Sequence, residues 1–339
     1  MTRVETWEDG TAWDAFVEQA PDSAITHLWA WRNVMDRAYG HSSFYLAAVD
    51  GAGIRGVLPL TLVAGRLVGR HMVSIPFMDH GGVCGALDME AETALLRAAQ
   101  ELARTNRAVL GLRSKRETAI DLPRSLEKVL MVLSLEGGEE AVLRRIPSKR
   151  RGQIRKGQRH GLTASIRGAD ALGEFYRVLA TNMRDLGSPV HSVRFFRAVV
   201  EGLGERARII LVRSGDLTVG AGLLLADGDT LSVPWSSSLR RYFSHGPNQV
   251  LFWEAMRHGV AEGFRTFDFG RSSVGSGTYQ AKQEWGAEPV QLYWHYHPAD
   301  ARPPEEDVQR LAWGVRAWRR LPLPIANLVG PALRRGIPN

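Results

Sequence analysis

The stretch that decides the fold reads FDFGRSSVGSGTYQAKQEWGAE and covers residues 267–288. It begins as a β-strand and continues into a glycine-rich loop. The loop carries three glycines within eight residues: Gly270, Gly275 and Gly277. Glycines at this density bring backbone N–H groups close to a ligand, most simply an oxyanion or a phosphate. Arg271 and Lys282 supply the matching charge. The alternative is a flexible loop with two solvated cations.

Outside this stretch, the predicted elements of the second half repeat those of the first. In each half, helices precede a hairpin, after which a strand, a helix and another strand follow. The two copies lie about 165 residues apart, which indicates an internal duplication of one unit. We therefore predict an α/β (α+β) fold with mixed sheets flanked by helices. The expected ranges are an N-terminal domain 1–145, a basic inter-domain segment 146–162, a C-terminal domain 163–300 and a tail 301–339.

The segment between the copies is strongly basic. Residues 141–169 contain nine lysines or arginines and no acid. A short helix here places Arg151, Arg155 and Arg159 along one face, at spacing i, i+4 and i+8. Such a face suits a phosphate or pyrophosphate, and a solvated charge run is the alternative.

Composition excludes several classes of protein. The 339 residues are 44% hydrophobic and carry 43 Lys and Arg against 36 Asp and Glu, a formal charge of +7 that permits an anionic partner. The single cysteine, Cys84, excludes an intrachain disulfide framework and a multi-cysteine zinc site. No apolar stretch is long enough to span a bilayer, and no signal peptide is visible, so a cytoplasmic protein is expected.

Other candidate residues carry weaker signals. Gly275-Ser276-Gly277 lacks the Gly-x-Ser-x-Gly spacing of a serine nucleophile, and no helix is predicted after it. The histidines provide no convincing third metal ligand, so no metal site is expected. His80 and His191 are interpreted as pocket-lining or capping residues. The tail combines tryptophans and arginines without acids after Asp307, and either contacts an anionic membrane face or packs on the body as a helix.

The duplicated unit, the segment KRRGQIRKG at 149–157 and the stretch GTYQAKQEWG at 277–286 resemble the FemAB-like branch of the GNAT acyltransferase superfamily. More narrowly, the chain resembles FemAB-related proteins that accompany PEP-CTERM/exosortase and exopolysaccharide loci. The resemblance covers nearly the whole chain. It implies two tandem GNAT-like domains and transfer of an acyl or aminoacyl group to an amine.

The resemblance also implies roles for individual residues. The late-motif lysine of the family, which handles an aminoacyl-tRNA donor in the Fem enzymes, falls on Lys282. Ala281 stands where those enzymes usually have phenylalanine, so acyl-CoA, acyl carrier protein and aminoacyl-tRNA all remain open as co-substrate. Asp79 matches the acceptor-side aspartate, as a base or as an orienting group. Tyr279 belongs to the same catalytic set.

Aminolysis of an ester or thioester needs a neutral amine, a base and donors for the developing oxyanion. The residues assigned to the donor and its phosphates are Arg271, Gly275, Ser276, Gly277, Thr278, Arg150, Arg151 and Arg155. The residues assigned to the acceptor are Arg32, His80 and His191.

The sequence therefore predicts an N-acyltransferase without a tightly bound cofactor, acting on an amine-bearing, anionic acceptor in cell-envelope or exopolysaccharide metabolism. It is expected in the cytoplasm or peripherally at the inner membrane face. A non-catalytic scaffold that binds anionic glycan-lipid carriers is the alternative.

Overall fold

The computed structural model describes residues 2–65, 68–85, 88–298 and 312–338. The chain divides into two compact units. The first contains residues 1–128, 291–312 and 332–339, and the second contains residues 129–290 and 313–331. Residues 299–311 and 339 of the predicted C-terminal domain and tail lie outside the described residues.

The first unit is built on a seven-stranded sheet in the order β1-β2-β3-β4-β5-β14-β6. Its strands are β1 (Arg3–Thr6), β2 (Ser42–Asp50), β3 (Gly53–Gly65), β4 (Gly69–Val73), β5 (Val109–Ser114), β6 (Arg124–Ser125) and β14 (Tyr293–His297). Its helices are α1 (Gly10–Gln19), α2 (Ala30–Tyr39) and α3 (Met89–Thr105). β4 and β5 are parallel, and the other described pairs are antiparallel. α3 begins where the Asp88 carboxylate accepts two backbone N–H groups, and its apolar face completes the core.

The second unit is built on a seven-stranded sheet in the order β13-β7-β12-β11-β10-β9-β8. Its strands are β7 (Lys128–Ser134), β8 (Leu162–Arg167), β9 (Ala207–Ser214), β10 (Leu217–Asp227), β11 (Thr230–Ser238), β12 (Thr266–Ser273) and β13 (Glu288–Gln291). Its helices are α4 (Gly138–Arg145), α5 (Ser148–Arg159), α6 (Leu172–Leu186), α7 (Val193–Leu203), α8 (Pro247–Ala261), α9 (Gly277–Gln283) and α10 (Ala312–Trp318). A last helix, α11 (Leu323–Arg334), continues from the second unit into residues of the first.

The mixed sheets with flanking helices confirm the predicted fold class. Sheet membership differs from the predicted ranges at two strands. β7 lies before residue 145 but joins the second sheet, and β14 lies before residue 300 but joins the first. The reason is physical: β7 lies between β13 and β12, and β14 lies between β5 and β6, so each strand satisfies its backbone hydrogen-bonding groups on both sides, whatever its order in the chain.

Candidate functional site

The second sheet opens between its parallel strands, β11 and β12. They pair over only three positions, from Thr230 opposite Thr266 to Ser232 opposite Asp268. β11 continues to Ser238 and stays paired with β10 on its other side. Beyond Ser232 the described register contains no further pair between β11 and β12, and we refer to this stretch, where the two strands no longer pair, as the gap. Such a gap suits an extended ligand that hydrogen-bonds to the strand edge.

The departure of β12 has a local cause in the sequence Asp-Phe-Gly-Arg. The Asp268 carboxylate accepts the N–H of Gly270 at 2.7 Å, and Gly270 has a φ of +79°, which glycine adopts without strain. The Lys282 ammonium donates to the carbonyl oxygens of Gly270 and Arg271 at 2.9 and 2.8 Å. Asp268 therefore accepts from the backbone at the bend, while Lys282 donates to it, and the two side chains together fix the bend. Lys282 lies beside the gap.

The glycine-rich segment leads into α9, contrary to the expectation that no helix follows it. Ser276 caps the helix, with its Oγ accepting the N–H of Tyr279 at 3.2 Å. The hydroxyls of Ser276 and Thr278 lie 3.0 Å apart, and the Tyr279 hydroxyl accepts from Gln283 at 3.2 Å. The glycines alone indicate a loop, whereas Ser276 as an N-cap indicates the start of a helix. These three hydroxyls therefore serve the helix itself.

The loop that follows β11 forms one wall of a cavity of about 610 Å³. The lining residues are Arg177, Thr181 and Asp185 of α6, Leu217, Leu239, Arg240 and Arg241, and Leu323. The three α6 residues share a face at spacing i, i+4 and i+8. Leu239 donates its N–H to Val219 at 2.8 Å, which fixes the loop to β10.

The charge of this cavity is positive. Three arginines line it, while its single carboxylate, Asp185, pairs with Arg184 at 2.7 Å. Sequence reasoning missed the cavity. The adjacent Arg240 and Arg241 before Gly246-Pro247 were the available signal, because a basic turn ahead of a helix start is a site for an anion.

The predicted basic segment forms the helix α5, but its arginines face different environments. Arg150 is buried and donates to Glu284 at 2.5 Å and to Gln153 at 2.8 Å. Its guanidinium lies 5.2 Å from the centre of the Trp285 ring. Burial lowers the pKa of Arg150, and Glu284 opposes that shift. Arg150 thus connects α5 with α9, whereas Arg155 is exposed and Arg151 is half-buried.

In the first unit, Asp79 lies on a loop that follows β4. Two residues of this loop other than glycine have positive φ, Ile75 at +56° and Phe77 at +71°. A branched side chain at such a φ is strained, and strain of this kind persists only where surrounding contacts fix the backbone. The Ser74 N–H donates to Gly111 at 3.0 Å, and the Phe77 N–H donates to Pro338 at 3.2 Å.

A buried arginine that sequence reasoning missed adds side-chain contacts to this loop. Arg113 of β5 is 4% exposed. Its guanidinium donates to the carbonyl oxygens of Met78 at 2.7 Å and Pro338 at 2.8 Å, and lies 4.5 Å from the Trp294 ring centre. Trp294 in turn donates to the Asp79 carbonyl oxygen at 3.3 Å. Arg113 therefore positions the loop that presents Asp79.

The three predicted acceptor residues lie in different surroundings. Arg32 pairs with Glu8 at 2.9 Å and covers the Trp29 ring at 4.7 Å, so it is engaged in the fold of the first unit. Burial lowers the pKa of His80 well below its ordinary value, and positive charge on Lys115 adds to that shift. His191, in the second unit, is buried and stacks on Phe195 at 4.5 Å.

Two other chemistries find little support. Cys84 is buried, and burial raises the pKa of its thiol to about 12, so the reactive thiolate is not formed at neutral pH. Over the described ranges, no three His, Cys, Asp or Glu residues are grouped to hold a metal ion.

Among the same residues, no helix is both long and apolar enough to cross a membrane.

Residues 148–283 match the family model described as an acetyltransferase (GNAT) domain. The match begins at α5, includes the gap between β11 and β12, and ends with α9. Residues 148–283, which make up most of the second unit, are thus similar to a GNAT acetyltransferase domain. A search of curated proteins found no match to the sequence.

Solved structures share the fold of almost the whole chain. FemX has a TM-score of 0.68 at 14% identity, covering 91% of this chain and 99% of that one. L-PGS from Bacillus licheniformis has a TM-score of 0.60 at 14% identity, with coverages of 92% and 98%. A tandem GNAT protein from the clavulanic acid biosynthesis pathway has a TM-score of 0.51 at 12% identity, with coverages of 89% and 99%.

The domain match and the fold shared with FemX agree with the resemblance to the FemAB-like branch of the GNAT superfamily. The domain match supports an acyltransferase. At these identities the solved structures show the fold alone.

Proposed function

We propose that this protein transfers an acyl or aminoacyl group from an activated donor to an amine of an anionic acceptor in cell-envelope or exopolysaccharide metabolism. The observation that carries the proposal is the gap between β11 and β12 inside a GNAT domain, with a cationic cavity beside the end of β11. The link to PEP-CTERM/exosortase systems is part of the proposal and rests on the resemblance of nearly the whole chain, with residues 268–286 as its best motif.

The reaction we propose is direct aminolysis. The neutral acceptor nitrogen bonds to the donor carbonyl carbon, and the bond from that carbon to the leaving sulfur or oxygen breaks. The proton that the nitrogen loses passes through a base or water to the leaving group, which departs as a thiol or hydroxyl. Asp79 is proposed to take that proton or to orient the amine. Lys282 and N–H groups of residues 275–278 are proposed to stabilise the oxyanion. The buried, high-pKa thiol of Cys84 argues against a covalent intermediate on this cysteine.

The donor is proposed to be an acyl thioester, because a GNAT domain usually takes acyl-CoA as co-substrate. The phosphates of the donor are assigned to Arg240 and Arg241, with Arg177 across the cavity. Arg271, Arg151 and Arg155 are further candidates. Acyl carrier protein and aminoacyl-tRNA remain the alternative donors, and Ala281 in the lysine motif favours a donor other than tRNA.

The test is equilibrium binding of CoA, a panel of acyl-CoAs and mixed aminoacyl-tRNA to the purified chain, followed by amide formation with amine acceptors. Loss of one charge-assisted hydrogen bond of about 1.5–3 kcal/mol predicts a roughly 10- to 100-fold weaker Kd for Arg240→Ala or Arg241→Ala. Arg144→Ala is the control, because Arg144 is 70% exposed on α4 and does not line the cavity.

Saturable binding of a thioester that weakens in both cavity variants would support the assignment. Binding of charged but not uncharged tRNA would replace the thioester donor with an aminoacyl donor. Binding of anionic glycan-lipids without any turnover would favour the scaffold alternative.

A further inference from the structure

Helix α11 has an apolar face that points away from the protein. The buried positions of the helix are Ala326 and Gly330, one turn apart. Four large apolar side chains of the helix are between 37% and 79% exposed: Ile325, Leu328, Val329 and Leu333. Their spacing of i, i+3, i+4 and i+8 makes one continuous stripe. A helix normally buries the stripe with this spacing, whereas α11 buries two small residues and exposes the large ones.

The charged residues around the stripe are all cationic. Described residues 312–338 contain five arginines and no Asp or Glu: Arg316, Arg319, Arg320, Arg334 and Arg335. Arg316, Arg319 and Arg320 precede the helix and are exposed. The Arg319 guanidinium donates to the Leu186 carbonyl oxygen at 3.3 Å, so it stays beside another exposed apolar side chain, Leu186 at 53%.

The length of α11 limits what it can do in a bilayer. Its 12 residues rise roughly 18 Å, whereas a span needs about 20 residues. A short helix with an apolar stripe and arginines at its ends instead lies in the interface, with the stripe among acyl chains and the cations among headgroups.

The same charges disfavour a second copy of this chain as the occupant. A symmetric dimer formed through α11 brings the same patch from both copies together, so arginines face arginines without a carboxylate from this segment. An anionic lipid surface buries the apolar stripe and at the same time pairs with the cations.

We propose that α11 and its flanking arginines dock this protein on the surface of a bilayer that contains anionic phospholipids. Leu323, the first residue of α11, also lines the cationic cavity of the second unit. Docking through α11 therefore holds that cavity, and the donor assigned to it, near headgroups that carry a lipid-borne acceptor; this consequence alone rests on the proposed function.

The test is co-sedimentation of the full chain with phosphatidylcholine vesicles and with phosphatidylcholine vesicles that contain phosphatidylglycerol, across a salt titration. Binding is expected only to the anionic vesicles and is expected to weaken with salt. The double variant Ile325→Glu/Leu328→Glu should bind at least about tenfold more weakly, because it removes two apolar side chains that would be buried among the acyl chains. Arg319→Gln/Arg320→Gln should weaken binding about 25-fold, from roughly 1 kcal/mol, or about fivefold, per cation.

Two control variants separate this surface from general charge effects. Met89→Glu changes an apolar residue that is 70% exposed in the first unit, and Arg144→Gln removes an exposed cation of α4. Both should keep most of the binding. The proposal is wrong if neither vesicle binds, if the α11 variants bind like wild type, or if the protein forms a dimer that Leu328→Glu dissociates. The assay contains no acyl donor, so its failure would leave the transferase proposal to its own test.

Discussion

Replacing Arg113 by methionine should loosen the loop that presents Asp79 without unfolding the sheet that carries it. Methionine keeps much of the aliphatic stem and still packs on Trp294, but it cannot donate. The carbonyl oxygens of Met78 and Pro338, now 2.7 and 2.8 Å from the guanidinium, lose that donor. Residues 74–82 then lose a contact that offsets the strain at Ile75 and Phe77.

The magnitude follows from these contacts. Each hydrogen bond from a charged donor contributes about 1.5–3 kcal/mol, and a desolvated cation–π contact contributes about 2 kcal/mol. Packing of methionine on Trp294 recovers part of the second contribution. We expect a local loss of about 3–5 kcal/mol, which corresponds to a loss of protection against hydrogen exchange of about 100-fold or more in residues 74–82.

The assay is hydrogen–deuterium exchange by mass spectrometry, with acyl transfer measured on the same preparations. Arg113→Lys should show an intermediate effect, since one ammonium does not reproduce the bidentate fork. Arg97→Met, at an exposed position of α3, is the matched control. Unchanged protection of residues 74–82 in Arg113→Met would refute the positioning role. Lost protection with unchanged transfer would separate this loop from catalysis.

Three further changes test other parts of the structure. Lys282→Ala should slow transfer at least about tenfold, or about 1.4 kcal/mol of barrier, and an unchanged rate would exclude its role. Glu284→Gln leaves the buried Arg150 without its anion, so the urea midpoint should fall by an amount equivalent to about 1–3 kcal/mol; Lys149→Gln, at an exposed position, should have little effect. Burial lowers the pKa of His27 from 6.5 to about 4, so the unfolded state binds more protons between these two values, and the contribution of His27 to the free energy of unfolding should fall by roughly 3 kcal/mol as the pH is lowered across that window. His27→Gln should flatten this pH dependence, and an equal slope in both proteins would contradict the assignment.

The tandem organisation was predictable because it depends on local signals. Hydrophobic periodicity and turn residues recur at the same offsets in both halves, and a duplicated unit repeats them without any knowledge of tertiary contacts. The helix α5 was predictable for the same reason. Which sheet takes β7 or β14 was not, because strand order is fixed by long-range pairing.

Pro59 illustrates how tertiary context alters a sound local rule. Its missing N–H predicts an edge or a bulge, yet β3 lies between β2 and β4. The pairing of β3 with β4 covers only Thr61 onward, while Pro59 pairs with Tyr45 of β2 on the other side. The rule that proline avoids a paired strand edge therefore holds for the β3–β4 ladder, and it fails only in predicting that β3 is an edge strand of the sheet.

The cationic cavity was missed because its wall is assembled from distant segments. Arg177 and Arg240 are 63 positions apart in the sequence (240 minus 177), and only the packing of α6 beside the end of β11 brings them to one cavity. Arg113 was missed for a different reason. An arginine within a strand pattern is normally interpreted as lying at an exposed edge, so the sequence of β5 gives no sign that this arginine is buried. Its carbonyl partners belong to a strained loop whose conformation no propensity scale predicts.

The late motif shows why a specific sequence signature need not consist of catalytic groups alone. The Asp268 carboxylate and the Lys282 ammonium both act on backbone at Gly270, one as acceptor and one as donor, and together they fix where β12 leaves β11. A lysine ammonium has three N–H donors, and Lys282 directs two of them to carbonyl oxygens of its own domain. Lys282 is therefore expected to contribute to transfer in two ways: it fixes the shape of the gap, and it places a positive charge there. Substitution of Lys282 alone does not separate these two effects, whereas substitution of Asp268 changes the shape and leaves the lysine charge in place.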